Sequence, residues 1–226
     1  KGKNCLIFGG SGQIGRHLIR KLTRSDYRVI VVTRNIHQKG HIIKTQGNVG
    51  YIDIVEANIF EEDKIKGLFD RVDICINLIG ILYEKKGSSF RNIHTLFPSL
   101  LAKLCKQNNL KHFIHLSALG INEAKDSDYA RSKLDGEKEI LKNFPLSTIL
   151  RPSVVYSVDD NFTTNFMTLL NRLPVFPLYY NGKTKFMPIH SSDLVDIIHN
   201  VISENVYSQI IECVGPETLS LKEIIE

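Results

Sequence analysis

Cys5-Leu6-Ile7-Phe8, followed by Gly9-Gly10-Ser11-Gly12-Gln13-Ile14-Gly15, decides how this chain is read. The first four residues are a continuous apolar run, as in a strand buried on both faces. Glycines then stand at 9, 12 and 15, and from Ile14 apolar residues recur at Leu18, Ile19 and Leu22, which is helical spacing. A turn lacking Cβ atoms lets an anion approach the backbone, and the free N–H groups that open the helix point at it. The expectation is a diphosphate cradle formed by Gly9, Ser11, Gly12, Gln13 and Ile14.

Outward from that turn the pattern repeats. Val29 to Val32 read as a second strand, Tyr51 to Val55 as a third, Val72 to Ile79 as a fourth, His112 to Leu116 as a fifth and Leu146 to Leu150 as a sixth. Between them an acidic helix start stands at Glu61, Glu62 and Asp63, where negative charge suits the helix dipole. A long helix is predicted over Phe90 to Leu110 with a kink at Pro98, and another over Tyr129 to Asn143. Strands and helices in alternation predict an α/β fold, a Rossmann-type doubly wound parallel sheet. After Arg151 the rhythm loosens. Prolines gather at 174, 177 and 188, and aromatics at Phe162, Phe166, Phe176, Tyr179 and Tyr180. This predicts a nucleotide-binding domain over 1–156. Over 157–226 it predicts a smaller substrate-side lobe, centred on Ser157 to Phe186 and interleaved with returning sheet elements, a helix at Leu194 to Ile202 and a strand at Gln209 to Val214. Both ends read as cut: Ser220 and Glu223 form a capping box whose helix stops three residues later.

Composition narrows the function classes. The 226 residues carry 42% hydrophobic and 23% charged side chains, ordinary for a globular protein. Lys and Arg number 29 against 24 Asp and Glu, a net charge of +5. That excess is too mild to argue for nucleic acid and suits an anionic ligand or an anionic membrane surface. No apolar run approaches the length of a membrane span. Cys5, Cys75, Cys105 and Cys213 are far apart within apolar runs and read as buried thiols. The eight histidines show no ligand spacing, so no metal is expected.

The second strand ends in Val31-Val32-Thr33-Arg34-Asn35. An acid there would bind ribose hydroxyls and repel a 2′-phosphate. Arg34 instead offers a planar fork for phosphate, which His37 and Lys39 supplement. NADP(H) is favoured, with NAD(H) the alternative; the bland reading of Arg34 is a solvated loop residue.

The G-x-x-G-x-x-G spacing resembles that of the extended and atypical short-chain dehydrogenase/reductases. That resemblance places Asn58 and Ile59 against adenine, and Leu78, Ile79 and Gly80 along the cofactor groove. Tyr129-Ala130-Arg131-Ser132-Lys133 has the superfamily's Y-x-x-x-K spacing, which puts both side chains on one helix face. Tyr129 would be the general acid/base, and Lys133 would lower its pKa and bind the nicotinamide ribose. Active relatives carry a Ser or Thr just past the fifth strand. Ser117 is the candidate, yet alignment on Phe113-Ile114 puts Ala118 in that slot, and alanine cannot hydrogen-bond a carbonyl.

The segments 114–120, 129–133 with Gly136-Glu137, 149–153, 159–162 and 185–189 occur in this order. Together they resemble the short-chain dehydrogenase-like accessory subunit of respiratory complex I (NADH:ubiquinone oxidoreductase), in its bacterial form. The resemblance implies a tightly held nucleotide without hydride transfer, complex I subunits as partners, and Pro152, Ser153 and Val154 lining the nicotinamide end. It implies a cytoplasmic location, or the mitochondrial matrix in a eukaryote, peripheral to the inner membrane. The alternatives are an active NAD(P)-dependent reductase, epimerase or dehydratase using Tyr129 and Lys133, and a regulator sensing the NADPH/NADP⁺ ratio. His115 reads as core or second shell, His190 as part of a helix cap, and Phe162, Phe166 and Phe176 as packing or pocket lining.

Overall fold

The computed structural model describes residues 3–124, 126–157 and 185–220, with only the backbone at Lys185 and Ser220. The lobe expected around Phe162, Phe166, Phe176, Tyr179 and Tyr180, the 159–162 segment and the capping partner Glu223 lie outside the described residues.

Seven parallel strands form the main sheet: β1 Asn4–Phe8, β2 Arg28–Thr33, β3 Ile52–Glu56, β4 Ile74–Asn77, β5 His112–Leu116, β6 Thr148–Pro152 and β10 Ile210–Cys213. Their spatial order is β10-β6-β5-β4-β1-β2-β3. The order reverses between β1 and β4, the switch point where open α/β sheets bind ligands. Four two-residue strands make small pairs outside it: β7 Val155–Tyr156 with β9 Ile189–His190, and β8 Lys185–Phe186 with β11 Leu219–Ser220.

Residue alternation sets the two faces. Cys5 and Ile7 point into one core, with Leu18, Ile19 and Leu22 of α1 (Gln13–Arg24) and Leu194, Ile198 and Ile202 of α6 (Ser191–Ser203). Leu6 and Phe8 point into the other, with Phe97 and Leu101 of α4 (Phe97–Gln107) and Ile140 of α5 (Asp128–Asn143). All four cysteines are buried and free.

The fold expected from the sequence is the one observed, with strand ends displaced by one or two residues. β4 is shorter at both ends than Val72 to Ile79, so Leu78 to Gly80 already leave the sheet. The helix α2 (Ile36–Lys44) has no counterpart in the sequence reading. Gly40 sits in its middle, and only Gly40 and Ile43 are buried, which leaves too little apolar periodicity to recognise. α3 (Glu62–Lys66) opens with Glu62 and Asp63 in its first turn.

The helix predicted over Phe90 to Leu110 is not uniform. Arg91–Leu96 form a π-helical turn, with the Phe97 N–H bonded to the Asn92 carbonyl, and α4 follows. Pro98 explains this. It has no N–H to give the carbonyl four residues earlier, that of His94, and its ring crowds the same oxygen. The freed carbonyl turns toward α5 at Gly136, where any Cβ would stand 1.8 Å from the His94 oxygen.

Candidate functional site

The residues singled out from the sequence gather at the carboxyl ends of the strands, in two groups on either side of the switch point. The first group is backbone. Gly9 has φ +86°, a left-handed conformation that favours glycine, and a Cβ there would press on Leu78 at 3.1 Å. That contact draws the ends of β1 and β4 together. A Cβ on Gly15 would lie 2.4 Å from the Gly9 carbonyl and 2.5 Å from the Gly10 Cα. Gly12 differs: a Cβ there would meet only the Gly9 oxygen, at 3.4 Å, so its outer side is open. Gly12 is also the N-cap of α1, with no capping side chain and no acidic residue in the first turn. The positive end of the helix dipole therefore has no acidic or capping side chain of its own to offset it. Arg16, one turn along, has a buried Nε with no hydrogen-bond partner among the described residues. A cradle that excludes Cβ atoms, an uncapped helix start and an orphaned guanidinium nitrogen fit a dinucleotide diphosphate.

Arg34 is exposed just past the end of β2, beside exposed His37 and Lys39. Asn35 next to it caps α2 by accepting from the Gln38 N–H at 3.0 Å. Asn58 is exposed, but its side chain is engaged locally: Oδ1 accepts from the Phe60 N–H at 3.1 Å, while Glu61 receives the Asn58 N–H at 2.6 Å. Ile59 is buried beside it. Leu78 and Ile79 are half-buried and Gly80 is exposed.

The second group is made of side chains. On α5, Tyr129, Lys133 and Glu137 follow one another at four-residue spacing and share a face. Lys133 Nζ lies 5.5 Å from the Tyr129 ring centroid, over the ring. Lys133 is 4% exposed, and burial lowers its pKa to about 8 against the opposing pull of Glu137. Burial also pushes the Tyr129 hydroxyl above its ordinary value. Below this face Glu137 forms a bidentate pair with Arg151 of β6, Nε to Oε1 at 3.1 Å and Nη2 to Oε2 at 2.6 Å. Pro152, at the end of β6, is buried, and Ser153 and Val154 beyond it are half-buried.

Ser117 is buried at the end of β5, and its Oγ has no partner among the described residues. Ala118 beside it is half-buried. His115, 2% exposed, accepts from the Asn77 side chain at 3.1 Å, and Asn77 in turn receives the Ile79 N–H at 3.1 Å. It supports the turn after β4 from behind. His190 is itself the cap of α6, its Nδ1 accepting from the Ser192 N–H at 3.2 Å.

One residue of the second group is absent from the sequence reading. His94, on the π-helical turn, is 2% exposed. Its Nε2 accepts from the Ile81 N–H at 3.1 Å and its Nδ1 pairs with Ser132 Oγ at 2.9 Å. Its ring meets that of Tyr129 edge-on at 5.3 Å and stacks on Phe90 at 5.4 Å. No short-range motif links His94 to Tyr129, and a histidine on a long helix carries no signal of its own. The available hint was Pro98, four residues on.

Comparison with known proteins finds similar sequences and similar folds. The chain is 26% identical over 227 residues to the NADH-ubiquinone oxidoreductase 40 kDa subunit, mitochondrial, of Neurospora crassa, covering 100% of this chain and 59% of that protein. It is 29% identical over 221 residues to NADH dehydrogenase [ubiquinone] 1 alpha subcomplex subunit 9, mitochondrial, of Dictyostelium discoideum, covering 97% and 61%. The chain thus spans about 60% of the length of these curated relatives. Among solved structures, UDP-glucuronic acid 4-epimerase from Bacillus cereus in complex with NAD superposes with a TM-score of 0.77 at 22% identity, over 97% of this chain and 81% of that one, a likeness of fold. The model of the NAD dependent epimerase/dehydratase family matches residues 5–212. Because that match runs from the first strand of the parallel sheet into the last, the chain belongs to the NAD dependent epimerase/dehydratase family.

Proposed function

We propose that this protein holds NADP(H) as an accessory or assembly subunit of NADH:ubiquinone oxidoreductase and does not itself transfer hydride to a small substrate. The diphosphate would lie against the start of α1 at Gly12 to Ile14, the Gly12 N–H itself being given to the Gly9 carbonyl at 3.1 Å, the adenosine phosphate against Arg34, and the nicotinamide half over Gly80, Lys133 and Pro152 to Val154. NAD(H) is the second fit, since nothing near Arg34 would repel a free ribose.

One observation carries the holding role: the surroundings of Tyr129. A general acid/base must exchange its proton near neutral pH. Here burial raises the hydroxyl pKa, Lys133 lies over the ring face, and Phe90 and His94 enclose the ring edge-on at 5.8 and 5.3 Å. Ala118, in the slot where a hydroxyl would polarise a carbonyl, agrees with it. A bound nicotinamide would bring the capacity for hydride transfer, and Lys133 with Pro152 to Val154 would orient it. The mitochondrial complex I relatives support the partner. No helix among the described residues is long and apolar enough to cross a membrane.

The second reading, an active reductase, epimerase or dehydratase, is favoured by one fact: Tyr129 and Lys133 do share a face beside Gly80, whose added Cβ would lie 3.7 Å from Lys133 Nζ. Denaturing release of nucleotide from the purified protein, identified by mass, separates these readings together with a hydride-exchange assay. The expected result is stoichiometric NADP(H) and no transfer of label from the reduced nicotinamide to sugar-nucleotide or other carbonyl compounds. Protein purified without nucleotide and unable to bind it, or rapid stereospecific exchange, refutes the proposal.

A further inference from the structure

We infer that His94 is a positioning residue for the nicotinamide-side half of the site: its imidazole ties the Gly80–Ile81 turn to α5 and holds the Tyr129 ring, so that a bound dinucleotide meets that half preformed. The inference rests on the proposed nucleotide-holding role.

The hydrogen bonds assign the proton on the ring. The Ile81 N–H can only donate, so Nε2 is the acceptor and Nδ1 carries the hydrogen. Nδ1–H then donates to Ser132 Oγ, whose own hydrogen goes to the Tyr129 carbonyl at 2.8 Å. One neutral imidazole therefore joins the turn after β4 to the turn of α5 that carries Tyr129. Burial, the Lys133 charge and His115 hold its pKa down to about 2, in keeping with this neutral form. The backbone is shaped to the same end. Pro98 frees the His94 carbonyl and the π-helical turn displaces it, as π-turns at functional sites do. Gly136 gives it room, and Thr95 Oγ donates to the Ser132 carbonyl at 2.8 Å.

Position gives the connection to ligand. A Cβ on Gly80 would lie 3.9 Å from His94 Nε2 and 3.7 Å from Lys133 Nζ, so both nitrogens flank the bend through which the chain leaves β4. In a doubly wound sheet each half of the dinucleotide lies over its own set of strands. His94 stands on the β4–β6 side, away from the glycine turn of β1.

The test compares two probes on the intact chain. NADPH spans both halves; ADP occupies only the adenosine and diphosphate half. The chain has no tryptophan, so reduced-nicotinamide emission can be read without that background. His94→Ala is expected to weaken NADPH on the order of tenfold, the loss of one buried hydrogen-bond anchor, and to leave ADP within about twofold. Unchanged NADPH affinity, or ADP weakened as much as NADPH, overturns the inference. If His94→Ala does not fold, histidine nitrogen NMR of the wild type decides. The His94 pair should show hydrogen on Nδ1 and shift with NADPH but not with ADP; the opposite tautomer, or no response to NADPH, overturns it. Failure of the wild type to bind NADPH at all counts against the proposed function.

Discussion

The two sides of the switch point are built by different means. Over β1 to β3 the site is backbone: Gly9, Gly12 and Gly15 are there for the side chains they lack. Over β4 to β6 it is side chains held by other side chains, with Tyr129, Lys133 and Glu137 in a row, Arg151 beneath and His94 alongside. A backbone site leaves no room for added atoms at Gly9 and Gly15 but needs little support. A side-chain site carries buried charge and so depends on every partner. The halves should therefore fail differently, the first in binding and the second in stability.

The sharpest break is Glu137→Ala. It leaves the Arg151 guanidinium, 9% exposed, without its carboxylate. Loss of one partner of a buried pair costs about 3–5 kcal/mol, to be read as a lowered urea midpoint; an unchanged midpoint would remove the distinction between the halves. On the other side Gly15→Ala places a carbon 2.4 Å from the Gly9 oxygen. We expect roughly 1–3 kcal/mol of destabilisation and loss of detectable NADPH binding; retained binding would argue against the cradle.

Acid acts on the side-chain half through a buried imidazole. His115 in the native protein has its pKa lowered to about 3, chiefly by burial and then by Lys133. Above about pH 6.5 the imidazole is neutral both folded and unfolded, so stability does not depend on it. Below that the unfolded chain takes up a proton the native one refuses. Stability then falls by about 1.4 kcal/mol per pH unit for this group, until its folded pKa is reached. Urea unfolding at pH 7.5, 6.5 and 5.5 should show a steeper fall in wild type than in His115→Gln, which keeps the contributions of His94 and His112; equal slopes would contradict it.

Arg34→Ala sharpens the cofactor side, with NADPH weakened roughly tenfold and NADH within twofold; no loss for either would assign Arg34 to the solvated surface. The smallest effect belongs to Tyr129→Phe. Its ring packing is kept, so NADPH affinity should stay within about twofold of wild type by titration. A large loss would mean that the hydroxyl itself binds cofactor.

The difference between the halves also decides what could be read in advance. Glycine spacing survives as a pattern because each position has a local steric reason, and the strand before it and helix after it are short-range too. The Y-x-x-x-K face was legible for the same reason, since four residues are one helical turn. His94 was not, because Ile81, Ser132 and Tyr129 reach it from other elements. Nor was the Glu137–Arg151 pair, whose members lie on different elements. α2 escaped notice because Gly40 interrupts an already sparse apolar pattern.

From the chain alone came the alternation of strand and helix, the glycine turn, the basic residue after β2 and the face of α5, all set by periodicities of two and 3.6 residues and by the steric demands of glycine. Tertiary structure alone decided that Lys133 is buried over a tyrosine ring, that Glu137 finds Arg151, and that Pro98 frees a carbonyl for Gly136 to receive. Burial and charge pairing arise between segments remote in sequence, and only the packed sheet brings those segments together.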